Sequence, residues 1–307
     1  MKTNYVLVGD VLDKLNDLPE ESIQCCVTSP PYWGLRDYGE SDQLGLEKTP
    51  EEFTDNLVKV FREVKRVLRK DGTCWLNIGD SYAGNMSRAS NNGRAGFGNQ
   101  RETVVNRIPV GLKQKDLVGI PWRVALALQQ DGWYLRQDII WHKPNPMPES
   151  VKDRCTKSHE YIFLLTKSSK YYYDIDAIRE PLAESSIGRL EQDIDNQIGT
   201  ERANGGAKTN GNLKAVGDVD LGRNKRSVWT ITTKPFSEAH FAVFPPELPT
   251  LCIKAGSKEG DVVLDPFMGS GTTAWVAQRL SRKWIGVELN PEYVKIINKR
   301  VSQQELF

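Results

Sequence analysis

The chain is poor in the residues that build cross-linked or metal-bound folds. Its 307 residues include five cysteines and three histidines. Cys25, Cys26, Cys74, Cys155 and Cys252 are odd in number and scattered, and none forms a Cys-x-x-Cys pair. Neither a disulfide framework nor a zinc site is expected, and a reducing cytoplasm fits. Apolar runs of ~18 residues are missing, as is a charged opening stretch followed by an apolar one, so a cytoplasmic protein that makes no use of a membrane is expected. A one-sided charge is also missing, since 41 Lys and Arg face 40 Asp and Glu. An anionic partner such as nucleic acid would therefore be met by local basic segments and not by a global field.

What is present is length and a regular alternation. The chain is long enough for one large α/β domain or two modest ones. A strand over Tyr5 to Val8 is closed by Gly9-Asp10, and Val11 to Leu18 has helical spacing and stops at Pro19. A strand over Ile23 to Thr28 runs into Ser29-Pro30-Pro31-Tyr32. From Pro50 a long amphipathic helix places Phe53, Leu57, Val60, Phe61, Val64 and Leu68 on one face, and Asp71-Gly72 is expected to end it before a strand over Thr73 to Ile78. Further on, a helix near Pro121 to Gln130 and strands over Tyr134 to Trp141 and Glu160 to Thr166 are expected. The C-terminal part reads as strand Val262 to Asp265, helix Thr272 to Leu280, strand Trp284 to Glu288 and helix Pro291 to Val301. Such alternation predicts a parallel sheet covered by helices.

Two segments interrupt it. Residues 83–116 contain five glycines and six basic against two acidic residues, a basic loop. Residues 182–227 are polar and glycine-rich, and basic residues prevail from Gly199 onward. The expected division is thus 1–181, a polar insert over 182–227, and 228–307.

Two constellations carry chemistry. Val262 to Thr273 is an apolar strand that ends in a glycine turn and opens a helix, which lets backbone N–H groups approach a ligand closely. The next strand ends in Glu288, whose carboxylate can accept both hydroxyls of a ribose. Together they predict an adenosine site; the turn lacks the Gly-Lys-Ser/Thr ending of a phosphate loop. The second is Thr28-Ser29-Pro30-Pro31-Tyr32-Trp33. Consecutive prolines fix the backbone at a strand tip, so the Ser29 hydroxyl and the carbonyls point outward beside an aromatic face. That suits a planar base drawn out of a helix, although a Pro-Pro-Tyr turn can also simply cap a strand.

These residues carry a resemblance. Ser29 to Tyr32 and Asp265 to Thr273 resemble the two hallmark motifs of amino-group DNA methyltransferases, and their order, catalytic motif first, resembles the permuted beta class. The likeness extends to Gly9-Asp10, Asp71-Gly72-Thr73, Trp141-His142-Lys143-Pro144, His159-Glu160 and His240 to Glu247, nearly the whole chain apart from the two polar segments. It implies a Rossmann-like S-adenosylmethionine-dependent methyltransferase fold, a mostly parallel sheet with helices on both faces and a circularly permuted motif order.

The resemblance also implies roles. S-adenosylmethionine is the cofactor: Asp10 faces its adenine, with a helix cap as the lesser alternative; Asp265, Phe267, Gly269, Ser270, Gly271 and Thr272 wrap its methionine end, with Pro266 in the same cofactor-binding motif; Glu288, with Asn290 beside it, takes the ribose. Phe241, within His240 to Pro245, closes over it. Ser29, Pro30, Pro31 and Tyr32 form the catalytic motif, with Ser29 Oγ and the Pro30 carbonyl accepting amino hydrogens of a flipped base and Tyr32 stacking on it. A serine at the head of this motif implies cytosine, methylated at N4, whereas members acting on adenine usually carry Asp or Asn there. Double-stranded DNA is the partner, met by Arg94, Arg101 and Arg107 in the 83–116 loop and by Lys208, Arg223, Lys225 and Arg226 in the 182–227 target-recognition insert. A cognate restriction endonuclease, a monomer or homodimer, and no metal complete the expectation. Rival readings are adenine-N6 methylation and a non-catalytic S-adenosylmethionine-responsive DNA-binding module. A nicotinamide-dependent dehydrogenase leaves Ser29 to Tyr32 unexplained.

Overall fold

A computed structural model describes residues 1–35, 43–84, 108–109, 111–182, 187, 217–218, 222–234 and 243–302. Strands β1 (Tyr5–Val8), β2 (Ile23–Thr28), β3 (Leu68–Ile78), β4 (Tyr134–His142), β5 (His159–Thr166), β8 (Val228–Thr230), β9 (Val262–Asp265) and β10 (Lys283–Glu288) form one sheet in the order β1-β10-β9-β2-β3-β5-β4-β8. Only β5 runs against the rest, pairing antiparallel with β3 and β4. The sheet is therefore mixed but mostly parallel, and its parallel strands all point their carboxyl ends to one edge.

Side-chain alternation assigns the helices to two faces. Cys74, Leu76 and Ile78 of β3 join the buried cluster of α1 (Val11–Asn16), α2 (Pro50–Val67) and α3 (Ile120–Gln130). Thr73 and Trp75 point the other way, where a Cβ on Gly256 at the end of α4 (Glu247–Gly256) would come within 2.9 Å of Trp75 Nε1. Helix α4 packs on α5 (Thr272–Arg279), and α5 on α6 (Pro291–Ser302).

Helix α2 departs from its expected end. Thr49 caps it, accepting from Glu52 N at 3.1 Å, and Phe53, Leu57, Val60, Phe61 and Val64 are buried at helical spacing. The helix nevertheless stops at Val67, and Leu68 is already extended with ψ 140°. Leu68 pairs with Ile23 of β2 and is fully buried, so sheet pairing overrides a periodicity that would have carried it onto the helix. The register then shifts before Cys25 meets Thr73, which leaves Arg69 to Gly72 as a protrusion. The short strand β8, which extends the sheet beyond β4, and helix α4 were not expected from the sequence.

The chain divides into two compact units, Met1–Tyr172 with Val228–Phe307, and Tyr173–Ser227. The second begins before the composition shift at 182. Its described part contains the hairpin of β6 (Gly217–Asp218) and β7 (Gly222–Arg223), beside which Glu180 exchanges backbone hydrogen bonds with Arg223. Among the described residues no helix is long and apolar enough to cross a membrane.

Candidate functional site at the carboxyl edge of the sheet

Strands β9 and β2 lie side by side, with Cys25 opposite Val263 and Cys26 opposite Leu264. From β9 the chain crosses through α5 to β10 on one side; from β2 it crosses through α2 to β3 on the other. Such a reversal opens a crevice at the strand ends, the usual ligand position in open α/β sheets. The glycine turn after β9 and the Ser29 turn after β2 are thereby brought together from opposite ends of the chain.

Asp265 fastens them. Its Oδ1 accepts from Thr28 Oγ1 at 2.6 Å and from Phe267 N at 3.1 Å, and its Oδ2 accepts from Thr273 Oγ1 at 2.7 Å. Burial pushes its carboxyl up to about 6, against the pull of these donors. Both oxygens are thus engaged by the chain itself, and Asp265 shapes the crevice from within.

The turn depends on glycine. Gly269 and Gly271 have φ of 51° and 78°, a region that L side chains rarely adopt. A Cβ on Gly271 would also lie 3.1 Å from Ile297 of α6. Glu288 clasps the turn from the neighbouring strand end: Oε2 accepts from Gly269 N at 2.7 Å and Oε1 from Asn290 N at 3.0 Å. Each oxygen retains acceptor capacity, and burial pushes the carboxyl up to about 7. Beyond it, at the end of β1, Asp10 caps α1 by accepting from Leu12 N at 2.8 Å and Asp13 N at 3.2 Å. Asp10, Glu288 and the glycine turn therefore occupy three adjacent strand ends. Arg300 braces the turn, its Nη1 donating to Ser270 Oγ at 3.0 Å and to Thr272 Oγ1 at 2.9 Å.

On the other side of Asp265, Ser29 Oγ and the Tyr32 hydroxyl are 3.5 Å apart. Around Tyr32 gather Asn77 from the end of β3, Glu160 from the start of β5 and Lys143 just past β4. No local pattern in the sequence assigns these three a role. His159-Glu160 and Trp141 to Pro144 stood out as segments, but only the antiparallel entry of β5 carries Glu160 back to the carboxyl edge.

No thiol competes for chemistry on β2. Burial raises Cys25 to about 12 and holds Cys26 and Cys252 well above their ordinary range. Among the described residues no group of three or more His, Cys, Asp or Glu is placed to hold a metal ion. In the second unit, Glu180 Oε1 accepts from Arg223 Nε at 2.9 Å and Arg226 Nε at 2.6 Å, so two of the candidate DNA-binding cations carry a counter-charge. Lys225 is exposed. Arg94, Arg101, Arg107, Lys208, His240 and Phe241 lie outside the described residues.

A family model described as DNA methylase matches residues 23–299. The Type II methyltransferase M.Cfr9I of Citrobacter freundii is 49% identical over 300 residues, covering 97% of this chain and 87% of that protein. The Type II methyltransferase M.SmaI of Serratia marcescens is 45% identical over 309 residues, covering 99% and 92%. Among solved structures, the PvuII DNA methyltransferase (cytosine-N4-specific) superposes with a TM-score of 0.65 at 21% identity, covering 100% of this chain and 89% of that one. A DNA modification methylase from Thermus thermophilus, complexed with S-adenosyl-L-methionine, superposes with a TM-score of 0.60 at 24% identity, covering 98% and 93%. Matched by that family over most of its length and by such relatives almost end to end, the chain belongs to the N6/N4 DNA methylase family.

Proposed function

We propose that this chain methylates the exocyclic amino nitrogen of cytosine in duplex DNA, N4, with S-adenosylmethionine as methyl donor and base flipping as the route of access. The observation that carries the reading is the Thr28–Asp265–Thr273 link, which sets the Ser29 turn beside the glycine turn at one crevice. Serine at the head of the catalytic turn favours cytosine, as does likeness in fold to a cytosine-N4-specific enzyme. Type II methyltransferase relatives favour a role beside a cognate restriction endonuclease.

The crevice fits the cofactor. Glu288 keeps acceptors for two ribose hydroxyls, the turn presents backbone without Cβ atoms, and Asp10 stands at the adjoining strand end. Gly269 to Thr272 would hold the methionine end. When bound, S-adenosylmethionine supplies a methyl group already activated by its sulfonium, so the chain needs no nucleophile of its own.

The protein's work is positioning. The amino nitrogen of a base is a poor nucleophile because its lone pair is delocalised into the ring. Ser29 Oγ and the Pro30 carbonyl accept its hydrogens, favour a pyramidal nitrogen and stabilise the positive charge that develops on it. Tyr32 stacks on the extruded ring. The raised thiols of Cys25 and Cys26 agree with this amino route and not with attack on a ring carbon. A built Tyr32, Asn77 and Glu160 corner is more than a cofactor-responsive binding module requires. Lys225 and Arg226 of the 173–227 unit, together with the 83–116 loop, meet the phosphates.

Mass spectrometry of nucleosides from DNA incubated with the protein and S-adenosylmethionine tests this reading. N4-methylcytosine is expected. N6-methyladenine would overturn the choice of base, and the absence of any methylated nucleoside would overturn the enzyme.

A further inference from the structure

Glu160 stands near the start of β5, the strand that runs against its neighbours, and it is committed on both oxygens. Oε1 pairs with Lys143 Nζ, and Oε2 accepts from the Tyr32 hydroxyl at 2.7 Å and from Asn77 Nδ2 at 3.2 Å. Asn77 is buried, and its amide also donates to the Tyr161 carbonyl at 3.1 Å, so it cannot turn away without orphaning a buried group. Gly79 lies against the tyrosine ring, where a Cβ would stand 2.6 Å from Cε2. The ring is thus fixed at its hydroxyl by a charge-assisted bond and on its flank by backbone.

Direction follows from chemistry. An ionised carboxylate only accepts, so the Tyr32 hydroxyl proton points to Glu160 and the phenolic lone pairs face away from it. Ser29 Oγ, 3.5 Å from that oxygen, can aim its own proton there and keep its lone pairs outward. Resting on the reading of this corner as the base pocket of a methyltransferase, we infer that Glu160 is a positioning residue: through the Tyr32 hydroxyl it fixes the stacking ring and orients Ser29 as an acceptor for the amino group of the base. Lys143 balances the half-buried carboxylate that does so.

The test compares Tyr32→Phe, Glu160→Gln and the double variant in single-turnover methylation of DNA. Tyr32→Phe keeps the ring and removes only the hydroxyl. Glu160→Gln can donate to the phenolic oxygen and reverse the chain. Each single variant is expected to lose about ten- to a hundredfold in rate, the scale of a misplaced reacting group, with S-adenosylmethionine affinity unchanged. The double variant is expected to be no slower than the slower single one, because both changes cut the same bond. A 2-aminopurine base at the mapped target position is expected to fluoresce more brightly in both single variants, as stacking on a loosened ring quenches it less. Full rate in Tyr32→Phe would overturn the inference, and it decides the matter alone if Glu160→Gln fails to fold. Losses that multiply in the double variant would also overturn it, leaving Glu160 as a structural partner of Lys143. Absence of methyl transfer by the unaltered chain would overturn the functional reading beneath it, whereas transfer by that chain with full rate in Tyr32→Phe overturns this inference alone.

Discussion

The two halves of the crevice are built from different material. On the side proposed for the cofactor, at the ends of β9, β10 and β1, carboxylates bind backbone: Glu288 takes Gly269 N and Asn290 N, and Asp10 takes Leu12 N and Asp13 N. On the side proposed for the base, side chains bind side chains, with Tyr32, Asn77, Glu160 and Lys143 converging from four separate segments. A backbone-built site tolerates change in its neighbours but not in its glycines. A side-chain network is only as fixed as its least satisfied member. Asp265 is where the two constructions meet.

Breaking that junction carries the largest expected effect. Asp265→Ala leaves the Thr28 and Thr273 hydroxyls and Phe267 N without their acceptor in a buried place. Unsatisfied buried donors cost about 1–3 kcal/mol each, so a net loss of about 2–4 kcal/mol of stability is expected, read as a lower midpoint in denaturant. A midpoint equal to that of the unaltered chain would show the two turns to be held together by the rest of the sheet.

The next effect belongs to the cofactor half alone. Glu288→Ala is expected to weaken S-adenosylmethionine binding by roughly 1.5–3 kcal/mol, the worth of charged hydrogen bonds, in calorimetry. The same residue supplies a pH signature. Glu288 lies raised to about 7, and in its proposed role it accepts the ribose hydroxyls as a carboxylate, so that protons would compete with the cofactor. Affinity is expected to fall as the pH drops through about 7 and to level off above it, and Glu288→Gln is expected to flatten the profile. A profile flat from the start would place the ribose elsewhere.

Legibility in the sequence follows the same divide. The glycine turn, Glu288 and the Ser29 to Tyr32 turn were visible because each rests on local chemistry: a positive φ, a strand-end carboxylate, a proline-locked tip. The sheet was visible through period-two and helical spacing. Glu160 was not, since its placement depends on β5 running backwards, a long-range property that no local pattern encodes. Leu68 was misplaced for a related reason: its spacing suits the helix, and pairing with Ile23 decides otherwise. Asp10 shows how far a motif reaches, for the structure makes it a helix cap, the alternative open in the sequence, and a cap at that strand end still adjoins Glu288 through Gly9 N to Glu288 O at 3.0 Å.

A smaller effect, per residue, is expected from the basic segments. Each phosphate contact adds about −0.9 to the slope of log affinity against log salt. Neutralising Arg94, Arg101 and Arg107 together is expected to flatten that slope for duplex DNA. Arg223→Ala should change it less, since Glu180 already balances that cation. Equal slopes for all variants would set the DNA on another surface.

The most direct test of the central claim separates catalysis from cofactor binding at the serine. In the proposed mechanism Ser29→Ala removes one acceptor that matters as charge develops on the amino nitrogen, and Ser29 donates or accepts nothing from the glycine turn in the described contacts. Single-turnover formation of N4-methylcytosine is expected to slow by at least about tenfold, the loss of one strong hydrogen bond in the transition state, while calorimetric affinity for S-adenosylmethionine stays that of the unaltered protein. Full rate in Ser29→Ala would make the serine a strand cap and remove the chief support for cytosine; an equal loss in cofactor affinity would contradict the division of the crevice into two halves.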